Sequence, residues 1–431
     1  MLLNCIRELG IRSLKRFKLS NILIMLTETE TDTVDIELGY EDRLNKKLST
    51  LKQQGNYRYF LPLQKSAAQH PAFSRNTEGE VKTVVNWTSN DYLGMSVDED
   101  VIEAFVQAAH EHGVGSGGTR NISGTTLKHQ ELEHTIAALH QKPAALLFTS
   151  AYVANSTAIS ILGRAFPDTL LFSDEENHAS MIEGIKLSRC EKRIFKHNDL
   201  DHLELLLQAT PINRPKIILF ESVYSMSGTI APIKAICDLA KKYNALTYLD
   251  EVHGVGMYGI NGEGVAGEQN CSDDVDIING TLAKAFGCVG GYVAASETFI
   301  DYIRSFGEGF IFTSSMPPAV CAAATKSIEK VKNSPKLRQI FHENVEILRG
   351  ALRENGVKFE DNPSHITRII IGDSAKTKVV TDRLLNEFDI YLQPINFPTV
   401  PKGREGLRII ITARHTLAYV EKLVAALKIV L

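Results

Sequence analysis

Polar side chains able to move protons stand at the ends of several short apolar runs in this 431-residue sequence. Asp250 closes the run ALTYLD and His253 follows three residues later, while Lys284 comes just after VDIINGT. Ser173 lies at the end of TLLFSD, and His178 follows that run. If these runs are strands of one parallel sheet, their carboxyl ends meet at one edge, where ligands bind in open α/β sheets. Each residue alone has a plainer explanation as a helix cap or a structural histidine, but together they predict one site.

Lys284 is the most informative of these residues because it lies among small and apolar residues in NGTLAKAFG. A buried ammonium group costs free energy unless it is paired, neutralised or covalently bound. One explanation is a surface lysine on a loop. The other is a lysine that carries a carbonyl cofactor as a Schiff base, for which a lowered pKa is useful.

The combination meets the needs of pyridoxal phosphate. That cofactor requires a carboxylate for its ring nitrogen, a lysine for its aldehyde, an imidazole to stack on the ring and amides for its phosphate. We expect the phosphate site in FTSAYVAN, where Ser150 and the backbone amides of Ala151 and Tyr152 begin a predicted helix. Free amides at a helix start bind anions. Taken alone, this stretch reads as an ordinary helix N-cap.

Composition and motif spacing argue against several other classes of protein. The formal net charge of −4 gives no indication of nucleic-acid binding. The six cysteines are scattered without CxxC or CxxH pairs, so we expect neither a metal site nor a disulfide framework. No apolar run approaches the roughly 20 residues needed to cross a bilayer, and we expect no membrane partner. The glycine-rich loop GVGSGGTRNISGTT does not follow a clear strand, which disfavours a nicotinamide-dependent dehydrogenase.

The order of the predicted elements indicates an α/β fold with a large, mostly parallel sheet and a smaller C-terminal α/β domain. Short β-rich runs alternate with helical runs of 10 to 15 residues, which is typical of βαβ units. We predict an N-terminal segment over residues 40–92, a large domain that binds the cofactor over 93–325, and a small C-terminal domain over 326–431. The later part predicts an antiparallel sheet.

Residues 1–39 form a predicted extension of different character. A basic stretch, MLLNCIRELGIRSLKRFKLSNILIML, precedes the acidic, threonine-rich TETETDTVDIE. A transit peptide, a helix at a membrane surface and a non-native extension all remain open. We expect a cytoplasmic protein, with the mitochondrial matrix as the alternative if this stretch is a transit peptide.

From about residue 40 to the end, the chain resembles the α-oxoamine synthases, which join an amino acid to an acyl-CoA. The resemblance is carried by an ordered set of motifs: GNYRYF, SNDYLGM, GVGSGGTRNISGT, FTSAYVAN, FSDEENHASMIEGI, FESVYSM, LDEVHGVGMYG, NGTLAKAFG, GFIFTSSMPP and LQPINFPTVPKG. It implies a pyridoxal-phosphate-dependent transferase of fold type I.

The resemblance assigns a catalytic or cofactor-binding role to each residue at the predicted sheet edge. Lys284 would carry the cofactor and act as general base, and Asp250 would pair with the pyridine nitrogen. His178 would stack on the ring. His253 and Ser225 would bind the phenolic oxygen of the ring.

The resemblance also implies a homodimer with shared active sites. Thr281 and the amides of Ala151 and Tyr152, beside Ser150, would hold the cofactor phosphate. Thr313 would reach the phosphate in the neighbouring subunit.

The substrates implied are glycine and succinyl-CoA. Asn90 and Arg408 would bind the glycine carboxylate. Arg58 would pair with the distal carboxylate of succinyl-CoA, helped by Thr119 and Asn121. The methyl group of Thr119 would crowd amino acids larger than glycine. Three further positions match substrate contacts: Ser173, Lys192 and Thr399.

Some positions depart from the family pattern. Ser227 and Thr229 stand where acidic residues are usual, and IIITARHT follows Arg408 in place of a segment rich in threonine and proline. Three alternatives therefore stay open. The first is a related synthase with another acyl donor, and the second is a relative in secondary metabolism that makes or cyclises the condensation product of glycine and succinyl-CoA. The third is a catalytically silent subunit.

Overall fold

The computed structural model describes residues 39–77 and 79–431. The predicted extension over residues 1–39 therefore lies almost entirely outside the described residues. The chain divides into two compact units, Met1–Arg58 and Tyr59–Leu431. In the first unit, helix α1 spans Tyr40–Gln53, as its amphipathic pattern predicts.

The second unit alternates strands and helices over most of its length. Its strands are β1 Gln64–Lys65, β2 Ala72–Thr77, β3 Glu80–Asn86, β4 Ala144–Phe148, β5 Leu170–Asp174, β6 Glu191–Phe195, β7 Lys216–Glu221, β8 Leu246–Asp250, β9 Ile277–Thr281, β10 Gly291–Ala295, β11 Thr367–Ile370, β12 Ile390–Tyr391, β13 Pro394–Ile395 and β14 Gly406–Ile409. Its helices are α2 Glu99–His112, α3 Leu127–Leu139, α4 Ala151–Ala165, α5 Ala179–Ser188, α6 Leu200–Gln208, α7 Ile233–Lys242, α8 Val265–Glu268, α9 Glu297–Phe306, α10 Glu308–Ile311, α11 Pro318–Lys332, α12 Pro335–Glu354, α13 Ser374–Phe388 and α14 Leu417–Val430.

A seven-stranded sheet forms the centre of this unit, with the order β4-β10-β9-β8-β7-β5-β6. All of its strands run in one direction except β10, which is antiparallel to both β9 and β4. The runs KIILFE and LTYLD are buried or nearly so along their length, as expected for strands covered on both faces. The predicted mostly parallel sheet is confirmed.

Two smaller sheets lie elsewhere in the unit. Strands β11, β14 and β13 form an antiparallel sheet, as predicted for the C-terminal part. Strands β1, β2 and β3 pair in sequence, and β12 joins β3 in parallel. The predicted N-terminal segment and C-terminal domain therefore contribute strands to one sheet, and the domain boundaries given above stay predictions.

Residues 39–77 and 79–431 contain neither a membrane-spanning helix nor a disulfide. No helix in these ranges has the length and apolarity that a bilayer crossing requires. The cysteines found there are free thiols: Cys190, Cys237, Cys271, Cys288 and Cys321.

Burial on the central strand β7 should dominate the stability of the sheet. Ile218 is fully buried, whereas Ile194 on the edge strand β6 is 54% exposed. We expect Ile218→Ala to lower the free energy of unfolding by about 2–5 kcal/mol, because it removes apolar contacts and leaves a cavity. Ile194→Ala, the matched control, should change it by less than about 0.5 kcal/mol. Urea denaturation measures both, and equal effects would contradict the assignment of the core.

Candidate active site

The carboxyl ends of the parallel strands meet along one edge of the large sheet. At the end of β8, Asp250 lies in register beside Glu221 of β7 and beside Asn279 of β9. Lys284 follows the end of β9 by three residues. The structure thus brings Asp250 and Lys284 to the edge where the sequence predicts a site.

Lys284 and His253 form a close polar contact at this edge. The Lys284 Nζ atom lies 2.6 Å from His253 Nε2. On its other side, His253 Nδ1 lies 3.0 Å from the hydroxyl of Tyr92. His253 is 6% exposed, so this contact is shielded from bulk water. His253 therefore contacts the lysine itself in this state.

The electrostatic surroundings favour a neutral Lys284 amine. Burial, followed by the charge of Arg408, lowers the pKa of Lys284 to about 7, while Asp250 and Glu221 act in the opposite direction. Burial also lowers the pKa of His253 well below its ordinary value. Because the unfolded chain binds more protons between pH 7 and pH 10.5, the contribution of Lys284 to stability rises with pH across that window.

Asp250 is held by two donors. Its Oδ1 atom accepts the backbone N–H of Val252 at 2.8 Å, and its Oδ2 atom accepts the side-chain amide of Asn155 at 2.6 Å. Asn155 is 1% exposed, and its own oxygen accepts the hydroxyl of Tyr248 at 3.0 Å. This fully paired amide fixes the orientation of the carboxylate.

His178 is positioned through its own backbone and through Ser180. The His178 N–H donates to Glu221 Oε1 at 2.6 Å, and His178 Nδ1 lies 2.7 Å from Ser180 Oγ. Asn155 donates to the same Ser180 oxygen at 2.9 Å. Burial raises the pKa of Glu221 well above its ordinary value, and Asp250 adds to that shift. The side-chain amide of Asn155 therefore links Asp250 to Ser180, which contacts His178.

The start of helix α4 lies close to Thr281. Ser150 caps this helix by accepting the Val153 N–H at 3.2 Å, as a plain N-cap would. The first amides of a helix have no partner in its own hydrogen-bond ladder, which leaves those of Ala151 and Tyr152 available. The register pairs Thr281 with Gly291, and Gly291 with Phe148 at the end of β4. Thr281, which is 4% exposed, therefore lies level with the end of β4, just before the start of α4.

Arg408 on β14 contacts the two residues from SNDYLG that face it. Its Nη2 atom donates to Asn90 Oδ1 at 3.2 Å and to the Tyr92 hydroxyl at 3.3 Å. Its Nε atom is buried and has no hydrogen-bond partner among the described residues. This buried N–H is a donor that suits an anionic ligand.

Ser225, Thr119, Asn121 and Thr313 lie on loops. Ser225 is half-buried in the loop after β7. Thr119 donates its hydroxyl to Asn121 Oδ1 at 2.7 Å and forms a β-bridge with Ser314, next to Thr313. The glycine-rich loop therefore lies against the segment that carries Thr313.

Of the remaining predicted substrate residues, Ser173 lies near the carboxyl end of β5, at this edge of the sheet. Ser173 is 4% exposed and accepts the Asn177 amide at 2.9 Å, so its hydroxyl is engaged within the fold. Lys192 is exposed and lies early in the edge strand β6, opposite Leu171. Thr399 is exposed on the loop before β14, and Arg58 belongs to the first unit. The roles of these residues stay predictions.

Sequence reasoning assigned no role to three residues of the site: Tyr92, Asn155 and Glu221. Glu221 ends a strand as Asp250 does, so the same positional rule finds it. Asn155 stands in the quoted stretch FTSAYVAN, but its partner Asp250 is 95 residues away. Only the fold makes that contact visible.

Comparison with known proteins agrees with this geometry. The family model for aminotransferase class I and II matches residues 82–427. The chain is 50% identical over 388 residues to the 5-aminolevulinate synthase of Rickettsia conorii, covering 90% of this chain and 93% of that protein. It is also 50% identical over 390 residues to the 5-aminolevulinate synthase of Rhizobium meliloti, covering 90% and 96%. The chain belongs to the 5-aminolevulinate synthase family.

Solved structures show that the family fold is the predicted one. Serine palmitoyltransferase from Sphingomonas wittichii matches with a TM-score of 0.83 and 29% identity, covering 92% of this chain and 98% of that chain. Another match is SPT with PLP as an internal aldimine, at a TM-score of 0.83 and 30% identity, covering 90% and 96%. The resemblance to α-oxoamine synthases and the fold-type-I prediction are thereby confirmed.

The lowered pKa of Lys284 predicts unusual reactivity in this member of the 5-aminolevulinate synthase family. In the apoprotein, modification of Lys284 by an amine-reactive reagent should reach half its maximal rate near pH 7, because the neutral amine is the reactive form. Lys234 is the internal control, since its hydrogen bond to Asp238 raises its pKa. Residue-resolved mass spectrometry after short exposures measures both rates. Parallel pH profiles for the two lysines would contradict the lowered pKa.

The Asn155–Asp250 contact predicts a role in cofactor retention for the amide. We expect Asn155→Ala to weaken pyridoxal phosphate binding by about 1.5–3 kcal/mol, because the carboxylate loses a charge-assisted hydrogen bond. Tyr248→Phe is the graded control, since it removes only the hydroxyl that bonds Asn155. Equilibrium dialysis of the cofactor measures the difference. Equal losses in the two variants would show that packing, rather than the bond to Asp250, matters.

Proposed function

We propose that this chain condenses glycine with succinyl-CoA and releases CoA and CO2, giving 5-aminolevulinate. The observation that carries the proposal is the 50% identity to 5-aminolevulinate synthases over 90% of the chain. The neutral Lys284 amine beside Asp250 and His253 supports it independently.

The residues present fit pyridoxal phosphate. Lys284 has a lowered pKa and can offer a neutral amine to the aldehyde, and Asp250 is a fixed acceptor for a protonated ring nitrogen. His178 is exposed at the site, as a ring that stacks on a ligand would be. The free amides at the start of α4 and the hydroxyl of Thr281 suit a phosphate. When bound, this cofactor supplies an electron sink that acidifies the Cα proton of glycine.

Lys284 is the residue that accepts this proton in the proposal. A base with a pKa near the working pH is the most effective proton carrier, and about 7 meets that condition. His253, which is 2.6 Å away and held neutral by burial, leaves the amine uncharged and oriented.

Arg408 and Asn90 are proposed to hold the glycine carboxylate. The unpaired Nε of Arg408 supplies one donor of the bidentate pair that guanidinium groups form with carboxylates. The methyl group of Thr119 favours glycine over larger amino acids in this proposal. Arg58, Asn121, Ser173, Lys192 and Thr399 are proposed to bind succinyl-CoA, on the strength of their motifs.

A homodimer with shared sites is also proposed. Three large apolar side chains are exposed on and beside the glycine-rich loop: Val114 at 91%, Ile122 at 79% and Phe312 at 78%. Ser315 donates its N–H to the Gly118 oxygen, which holds this loop against the 312–316 segment. Such exposure suits a subunit contact that places Thr313 near a neighbouring cofactor.

We propose that the protein is located in the cytoplasm, with the mitochondrial matrix as the alternative.

The proposed acyl donor is tested by following CoA release from purified holoenzyme with glycine and either succinyl-CoA or acetyl-CoA. We expect turnover with succinyl-CoA, and a loss of about 100-fold in kcat/KM for it in Arg58→Leu, because a charged pair with the donor carboxylate is lost. Arg43→Leu, also exposed and in the same unit, is the matched control.

The outcomes separate the alternatives. Turnover with acetyl-CoA that Arg58→Leu leaves unchanged would identify a sister enzyme with an uncharged donor. Purified protein that binds no pyridoxal phosphate and turns over neither donor would identify a catalytically silent subunit.

A further inference from the structure

A second arginine lies directly beside Arg408 on the neighbouring strand. Arg368 of β11 is the antiparallel partner of Arg408 of β14. Antiparallel partners project their side chains to the same face, and like charges in that arrangement repel. Arg368 is only 4% exposed, so water does little to screen it. Its contacts must therefore compensate both burial and repulsion.

Those contacts direct Arg368 away from Arg408. Its Nη1 atom donates to the Met226 oxygen at 3.2 Å and lies 3.3 Å from Glu360 Oε2, and its Nη2 atom donates to the Arg404 oxygen. Arg408 instead reaches Asn90 and Tyr92. Arg368 and Arg408 are thus neighbours across the two strands, but their guanidinium groups bind different partners.

Arg368 also joins β11 to the loop after β7. Met226 follows Ser225, a predicted cofactor ligand, in that loop. The loop also comes close to Asn362 at Gly228, whose φ is +72°. A Cβ atom at this position would lie 2.7 Å from the Asn362 side chain. The loop that carries Ser225 is therefore bonded to β11 through Arg368, and it lies close to Asn362, which precedes that strand.

We propose that Arg368 is a positioning residue for the amino-acid substrate. By charge repulsion it restricts Arg408 to the conformation that faces Asn90 and Tyr92, and through Met226 it holds the loop of Ser225. Because Arg368 is already engaged by Glu360 and by the Met226 and Arg404 oxygens, Arg408 is the guanidinium left to bind the substrate carboxylate. The inference rests on the proposed function through the role given to Arg408.

The test compares glycine binding in wild-type holoenzyme and in Arg368→Gln. The glycine concentration that gives half the maximal change in visible absorbance should rise about tenfold, as should KM for glycine, which corresponds to one lost positioning interaction. The kcat at saturating glycine and KM for succinyl-CoA should stay within about twofold, because the substitution acts on ground-state binding of one substrate.

Arg338→Gln is the matched control. Arg338 is 5% exposed and also donates both terminal nitrogens to carbonyl oxygens, those of Val331 and Ile260, but it does not pair with Arg408. It should lower the melting temperature as Arg368→Gln does and leave glycine binding unchanged. Arg368→Lys, which keeps the charge, should restore glycine binding at least in part.

Equal effects of Arg368→Gln and Arg338→Gln on glycine binding would overturn the inference, as would an unchanged glycine affinity. If Arg368→Gln does not fold, Arg368→Met, which keeps the length of the side chain but removes its charge, is compared instead. Glycine affinity equal to that of the wild type in that variant would overturn the positioning role. Wild-type protein that binds glycine but releases no CoA from succinyl-CoA would refute the proposed function alone, since the glycine comparison still stands.

Discussion

The removal of one amino group from water is the constraint on which this site depends. An ammonium at Lys284 would need a carboxylate partner, yet the nearest polar atom belongs to His253, which burial keeps neutral. The negative charges of Asp250 and Glu221 are near enough to oppose the shift but not to reverse it. Arg408 adds a positive charge that favours the neutral amine. The site thus favours the neutral form of the Lys284 amine near neutral pH.

A network of paired polar groups fixes the carboxylate of Asp250 in this site. Asn155 is bonded on both its oxygen and its nitrogen, to Tyr248, Asp250 and Ser180. Buried networks of this kind add rigidity when every member is satisfied, and cost free energy when one is missing. Arg408 Nε, by contrast, has no hydrogen-bond partner among the described residues, and Arg408 is the residue proposed to bind the substrate carboxylate.

Sequence patterns were sufficient to predict the large sheet and the edge of it at which the site lies. Strands such as KIILFE are recognisable because they are short, apolar and followed by polar residues, and that rule also places Asp250 correctly. This rule does not predict the reversed direction of β10, because the apolar pattern of a buried strand is the same in either direction. The contacts of Asn155 and Arg368 were beyond it too, since they join residues 95 and 142 positions apart.

The lysine lies in a turn that the antiparallel pairing of β9 and β10 closes. Thr281 and Gly291 are paired in register, and Leu282 donates its N–H to the Gly290 oxygen. A Cβ at Gly287 would lie 2.2 Å from the Ser96 nitrogen, so the turn is also packed against the SNDYLG region. An inserted or deleted residue here would slip the register and send alternate side chains to opposite faces. Geometry therefore constrains the number of residues that evolution can place in this turn.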